Sequence, residues 1–141
     1  DFESELDMAM SIGREARTYN VKSVITSEEL RQMQDDVYEV YMDKSIYKYI
    51  VELVTATRTS AYIEKGASPR ATIALVKMSK AWAWLNGRDY VIPSDIIAQF
   101  EYVISHRIVL AMSARMEKLT KKQVIDNILK SVRRPAVGER A

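Results

Sequence analysis

The chain has 141 residues, of which 48% are apolar and 28% charged, with a formal net charge of +2 and no cysteine. This excludes disulfides, thiolate metal sites and cysteine nucleophiles, and it describes one soluble globular domain with a real core. No apolar run approaches the roughly 20 residues of a membrane span, and no basic-apolar-small leader is visible, so the expected location is cytoplasmic.

Strand-type alternation is rare and helical spacing is common, so the sequence predicts an all-α helical bundle. Residues 3–17 place Leu6, Met8, Met10 and Ile12 among charges, an amphipathic opening helix. Thr26 and Glu29 form a capping box. It starts a short helix to about Asp36, with Leu30, Met33 and Val37 on one face. The alternation in "VYEVYM", residues 37–42, predicts an extended connector. Asp43 is a good N-cap for a helix over residues 44–58 that buries Ile46, Ile50, Leu53 and Val54. Residues 59–67 read as a loop, with Gly66 supplying backbone freedom.

Ser68 is the expected cap of the longest helix, and Pro69 suits its first position because the missing N–H would be unsatisfied there anyway. Ala71, Ala74, Leu75, Met78, Ala81, Trp82 and Leu85 make its apolar stripe. Trp82 and Trp84 fall on different faces, so one belongs in the core and the other is a candidate contact. Asn86-Gly87 ends the helix. Pro93 opens the next, with Asp95 in its first turn and Ile96, Ile97, Phe100, Val103 and Ile104 facing inward. Stretch 108–119 reads equally as helix or loop. Thr120 and Gln123 form a second capping box, and Pro135 stops the last helix.

Charge is unevenly spread. The first 36 residues carry nine acids against four bases, and residues 107–141 carry nine bases against three acids. A basic end can draw nucleic acid or an acidic partner. No aromatic residue interleaves these bases as a single-strand binder needs, which disfavours nucleic acid. Arg88 and Asp89 read as a surface ion pair or a subunit contact. Arg58, His106 and Arg107 end helices, where a cation complements the dipole. His106 is the single histidine, and neither a ligand nor a base is read there.

Catalytic motifs are missing. The sequence has no GxxxxGK[ST], no GxGxxG and no HExxH. Yet Arg70 follows Pro69 at a helix start, where a cation is locally unfavourable, so its target lies off the helix. A guanidinium binds phosphate oxygens in a fork, and a helix start adds N–H groups that suit an anion.

"GASPRATIALVKMSKAWAWLNGRDYVIPSDI" followed by "HRI" resembles the helical lid of MoxR-group AAA+ ATPases. "FESELDMAM", "ITSEELRQMQ" and "YIVELVTATR" are similar to the lid segments upstream, so the resemblance covers roughly residues 3–110. It implies that the whole of residues 1–141 is one lid domain of a longer ATPase, with 111–141 as a C-terminal extension. It implies that Arg70 is the sensor-2 arginine, contacting the ATP γ-phosphate with Ser68 and Pro69 beside it. ATP and Mg2+ would serve the intact protein, while these residues alone would be inactive. The implied partners are an upstream α/β core, neighbouring subunits in a hexameric ring, and a von Willebrand A-type protein whose complexes are remodelled or matured. Two alternatives stand: the lid of a magnesium-chelatase-like ATPase, which shares the Gly-Arg-Asp-Tyr-Val-x-Pro-x-Asp element, and a free-standing helical binding module. A first residue that is not methionine, Asp1, fits a processed protein or a segment of a longer one.

Overall fold

The computed structural model describes residues 1–12 and 22–136. Among the described residues there are seven α-helices and one two-stranded sheet. The chain divides into two compact units, Asp1–Arg31 and Gln32–Ala141.

In the first unit, α1 spans Phe2–Ile12 and starts where Asp1 Oδ1 accepts the Glu3 N–H at 2.8 Å. Leu6, Met8 and Met10 are exposed. Residues 13–17 of the expected opening helix and the side chain of Ile12 lie outside the described residues. The Thr26 capping box is present. The Thr26 N–H donates to Glu29 Oε2 at 2.7 Å, and the Glu29 N–H donates to Thr26 Oγ1 at 3.1 Å. It opens α2 (Ser27–Glu39), which runs three residues past the expected end. Leu30 is exposed, whereas Met33 and Val37 are half-buried.

In the second unit, the extended connector is confined to residues 40–42. Tyr41 pairs with the loop at Tyr90: its N–H donates to the Asp89 carbonyl at 2.8 Å, and its own carbonyl accepts the Val91 N–H at 2.9 Å. Asp43 caps α3 (Lys44–Thr59) by accepting the Ser45 N–H at 2.8 Å. α3 buries the four expected residues and also Tyr49 and Thr57. Hydrogen bonds from Ser45, first its hydroxyl and then its backbone, hold the Asp43 carboxyl below its ordinary 3.8. A carboxylate depressed in the folded state stabilises it above the unfolded value, and that contribution is lost as pH falls through the folded value. Asp43→Asn is therefore expected to lose less stability than the parent between neutral pH and about pH 3. Denaturant midpoints at the two pH values measure it, and equal losses would reject the role.

The loop expected over 59–67 holds a short strand. β1 (Ile63–Lys65) pairs antiparallel with β2 (Val109–Leu110), Ile63 opposite Leu110 and Lys65 opposite Val109. Three residues carry too little alternation to register as a strand by themselves. The partner strand, far along the chain at Val109–Leu110, supplies the hydrogen bonds. The ambiguous stretch 108–119 thus resolves into β2, α6 (Met112–Met116) and a turn in which Lys118 takes a φ of 55°.

α4 (Pro69–Leu85) is the longest helix. It ends where Gly87 adopts the left-handed region at φ 71°. Its buried stripe is Ala71, Leu75, Ser79 and Ala83, not the broader set expected. Met78, Trp82 and Leu85 are exposed, while Trp84 packs against the core. Three small residues in four let α3 and α5 approach closely, so only one side of the apolar surface of α4 is covered. α5 (Pro93–Ile104) buries Ile96, Phe100, Val103 and Ile104 as expected, with Ile97 half-buried. A 3₁₀ turn, Ser105–Arg107, follows, in which Arg107 Nε donates to His106 Nε2 at 2.9 Å.

The Thr120–Gln123 box opens α7 (Lys121–Ser131), whose Val124, Ile125 and Ile128 enter the same core as Ile50, Leu53, Leu75 and Phe100. Each such side chain contributes about 1.5–3 kcal/mol by burial. The exposed Lys48–Glu52 and Lys122–Glu101 pairs, at 3.7 and 2.9 Å, are screened by solvent and contribute little. The bundle is held by its core. Past α7, burial pushes the Tyr49 hydroxyl above its ordinary value, and the nearby charge of Arg134 opposes that shift.

Candidate functional site

The segment before α4 is held from the end of α3. The Thr57 hydroxyl donates to the Val54 carbonyl at 2.6 Å and accepts the Ala67 N–H at 3.0 Å. Arg58 Nε donates to the Ala67 carbonyl at 2.7 Å. Both polar backbone atoms of Ala67 are thus taken by two consecutive residues of one helix end. Arg58 does lie in the last turn of α3, as its expected dipole role requires, but its side chain also reaches nine residues along the chain.

Gly66 makes this approach possible. A Cβ there would meet the Thr57 carbonyl oxygen at 2.6 Å and Arg58 Cα at 2.7 Å. Its φ is not in the left-handed region, so the expected need for backbone freedom is replaced by a need for space. Gly66→Ala is expected to cost about 1–3 kcal/mol, because both obstructing atoms are backbone and cannot swing aside. A fall in thermal midpoint measures it, and an unchanged midpoint would show that the loop yields freely.

Ser68 stands at the cap position of α4, but its side chain makes no capping hydrogen bond, contrary to expectation. The backbone alone closes the first turn, with the Ala71 N–H donating to the Ser68 carbonyl at 2.8 Å. Pro69 occupies the first helical position. Ser68, Pro69 and Arg70 are all exposed. Their flanks are not: Ala67 is 1% exposed and Ala71 0%. The three residues form a fixed rise between two buried alanines, and no ion pair or hydrogen bond among the described residues engages the Arg70 guanidinium. The arrangement offers a forked cation, a free hydroxyl and a helix start in one place, a fit for phosphate oxygens.

A second polar centre lies at the other end of α4. Arg88, expected in a surface ion pair with Asp89 or in a subunit contact, has a partner in Asp95. The turn at Gly87 reverses the chain and brings Arg88 to the start of α5. There its guanidinium donates to both Asp95 oxygens, at 2.8 and 2.6 Å, and to the Tyr90 carbonyl at 3.0 Å. Asp95 Oδ2 also accepts the Ile92 N–H at 2.9 Å. The Asp95 side chain is 3% exposed and that of Arg88 22%. The fork to Asp95 raises the Arg88 guanidinium further above its ordinary value. This centre joins α4 to α5 and lies about 25 Å from Arg70, the length of a 17-residue helix. Sequence reasoning found Asp95 only as a first-turn carboxylate and missed Thr57 altogether, since a lone threonine in a helix carries no distinctive signal.

Among the described residues no group of three or more His, Cys, Asp or Glu could hold a metal ion. No helix among them is long and apolar enough to cross a membrane.

The chain belongs to the AAA lid domain family, whose model matches residues 55–128. Its relatives include proteins named MoxR. It is 35% identical to the uncharacterized protein YeaC of Bacillus subtilis over 134 residues, covering 95% of this chain and 42% of that protein. It is 30% identical to chaperone MoxR1 of Mycobacterium tuberculosis over 126 residues, covering 83% of this chain and 33% of that protein. Among solved structures, a candidate ATPase from Cytophaga hutchinsonii superposes with a TM-score of 0.76 at 33% identity, covering 96% of this chain and 44% of that one. The chain therefore spans less than half the length of these relatives. The family match extends to residue 128, past residue 110 where the sequence resemblance ended, in keeping with the buried face of α7.

Proposed function

We propose that residues 1–141 form the C-terminal lid of a MoxR-type ATPase and that Arg70 is its sensor-2 arginine. ATP would sit between an upstream α/β core and this lid, with Mg2+ held by the core. Arg70 would clamp the γ-phosphate, with the Ser68 hydroxyl and the proline-started turn beside it. Loss of that phosphate would release the clamp and let the lid move. In a ring, a hexamer on this reading, lid movement would be passed to neighbouring subunits and used to remodel or mature partner complexes, including those of von Willebrand A-type proteins, in the cytoplasm. MoxR1, a relative, is named a chaperone, which supports this direction of work.

One observation carries the reading. Arg70 is exposed and unengaged among the described residues, while Ala67 and Ala71 near it are buried and both backbone polar atoms of Ala67 are held. An arginine kept for solubility needs no such mounting. A charge that must meet a phosphate in one geometry does. The test is Arg70→Ala in the intact protein, with turnover and thermal midpoint read together. Full turnover in that variant would overturn the assignment.

A further inference from the structure

We propose that Arg58 is a positioning residue for Arg70, acting through the Ala67 carbonyl rather than through its charge. The inference rests on the sensor-2 reading of Arg70 and adds to it the device that aims the arginine. The carbonyl of Ala67 accepts Arg58 Nε at 2.7 Å, and its N–H is held by Thr57 Oγ1 at 3.0 Å. Gly66 lies so close to Thr57 and Arg58 that the loop has no room to slide past them. One residue beyond Ala67, the Ser68 carbonyl accepts the first bond of α4 from Ala71. The end of α3 therefore sets where α4 begins, and Arg70 is the second residue of α4. Without the Arg58 donor, the Ala67 carbonyl loses its side-chain partner and the start of α4 keeps only the Thr57 bond. The guanidinium of Arg70 would then sample positions away from the phosphate, and small misplacement of a charged group is expensive in rate.

The experiment uses the full-length ATPase and three substitutions that separate the hydrogen bond from the charge. Arg58→Met keeps the length of the stem and removes the donor. Arg58→Gln removes the charge but hangs an N–H donor from Cδ, where arginine carries Nε. Arg58→Lys keeps the charge but moves its donor one atom further out. Turnover, KM and thermal midpoint are measured for each, alone and combined with Arg70→Ala.

Arg58→Met is expected to lower kcat about tenfold or more. Arg58→Gln should restore most of it, and Arg58→Lys should restore less than Arg58→Gln. In the Arg70→Ala background Arg58→Met should cause little further loss, because two residues acting through one another are not additive. If Arg58→Met does not fold, the order of Gln above Lys carries the comparison. The reverse order would mean that the charge itself acts, and it would overturn the inference. A loss that persists unchanged beside Arg70→Ala would make Arg58 merely structural and would overturn it too. If Arg70→Ala is impaired while Arg58→Met is silent, only this inference falls. If Arg70→Ala turns over normally, the sensor reading falls and takes this inference with it.

Discussion

On the proposed sensor-2 reading, Arg70→Ala in the intact protein is expected to lower ATP turnover by about a hundredfold or more and to leave the fold as stable as before. The size follows from what a preorganised charge contributes where negative charge is being redistributed; removing one such donor from an active site costs about 10²–10³ in rate. The unchanged stability follows from the exposure of Arg70 and the absence, among the described residues, of a hydrogen-bond or ion-pair partner for its guanidinium. Surface substitutions of this kind stay within about 0.5 kcal/mol. Affinity should fall more for ATP than for ADP, because the proposed target is the γ-phosphate. Arg70→Lys should recover only part of the rate, since an ammonium is a point charge and cannot fork across two oxygens. Steady-state kinetics, nucleotide titration and a thermal melt decide the matter together. A variant that binds ATP and ADP with parental affinities and turns over normally would end the sensor-2 reading. A variant that loses turnover because it has unfolded would show that Arg70 has a structural partner instead.

Asp95→Ala is expected to cost about 3–5 kcal/mol. Asp95 is 2% exposed and accepts three hydrogen bonds, two from the Arg88 fork and one from the Ile92 N–H. Removing it strands a guanidinium that is only 22% exposed. Breaking one side of a largely buried pair costs more than the pair contributes as a whole, because the remaining Arg88 charge keeps only the Tyr90 carbonyl and partial access to water. A typical domain has about 5–15 kcal/mol of stability in all, so this loss takes a large share of it. Asp95→Asn keeps the shape and the acceptor for Ile92 but drops the charge, and it should lie between the parent and the alanine variant. Denaturant unfolding with a constant slope is the measurement. A shift below about 1 kcal/mol would place the pair with ordinary surface ion pairs. Arg70→Ala and Asp95→Ala are thus predicted to be opposites: one removes activity and spares the fold, the other loosens the joint between α4 and α5.

The start and end signals of the helices were legible in the sequence. Thr26 with Glu29, Asp43 with Ser45, Thr120 with Gln123, Pro69, Pro93 and Gly87 all mark helix boundaries in the structure. Each works through atoms no more than four residues apart, so the information is local and can be read in place. The family was legible for a related reason, because its fingerprint is the run around Arg70 and the Gly87–Asp95 turn. Ser68 is the instructive exception: the position was right, but the hydroxyl does not cap.

Tertiary structure decided the rest. The β1–β2 pairing, the hold of Thr57 and Arg58 on Ala67, and the Arg88–Asp95 fork all depend on chain reversals that bring separate segments together. Helical period shows that the apolar residues of α4 share a side, but not how much of that side its neighbours will cover. Small residues at 71, 79 and 83 let α3 and α5 close in on one stripe, leaving Met78, Trp82 and Leu85 in solvent. Sequence alone thus marked the capped helix starts and singled out Arg70, while the end of α2 and the whole of α6 waited on tertiary contacts. The packing of α3 against the loop decided how that arginine is held, because the position of an exposed charge is set by whatever is buried beneath it.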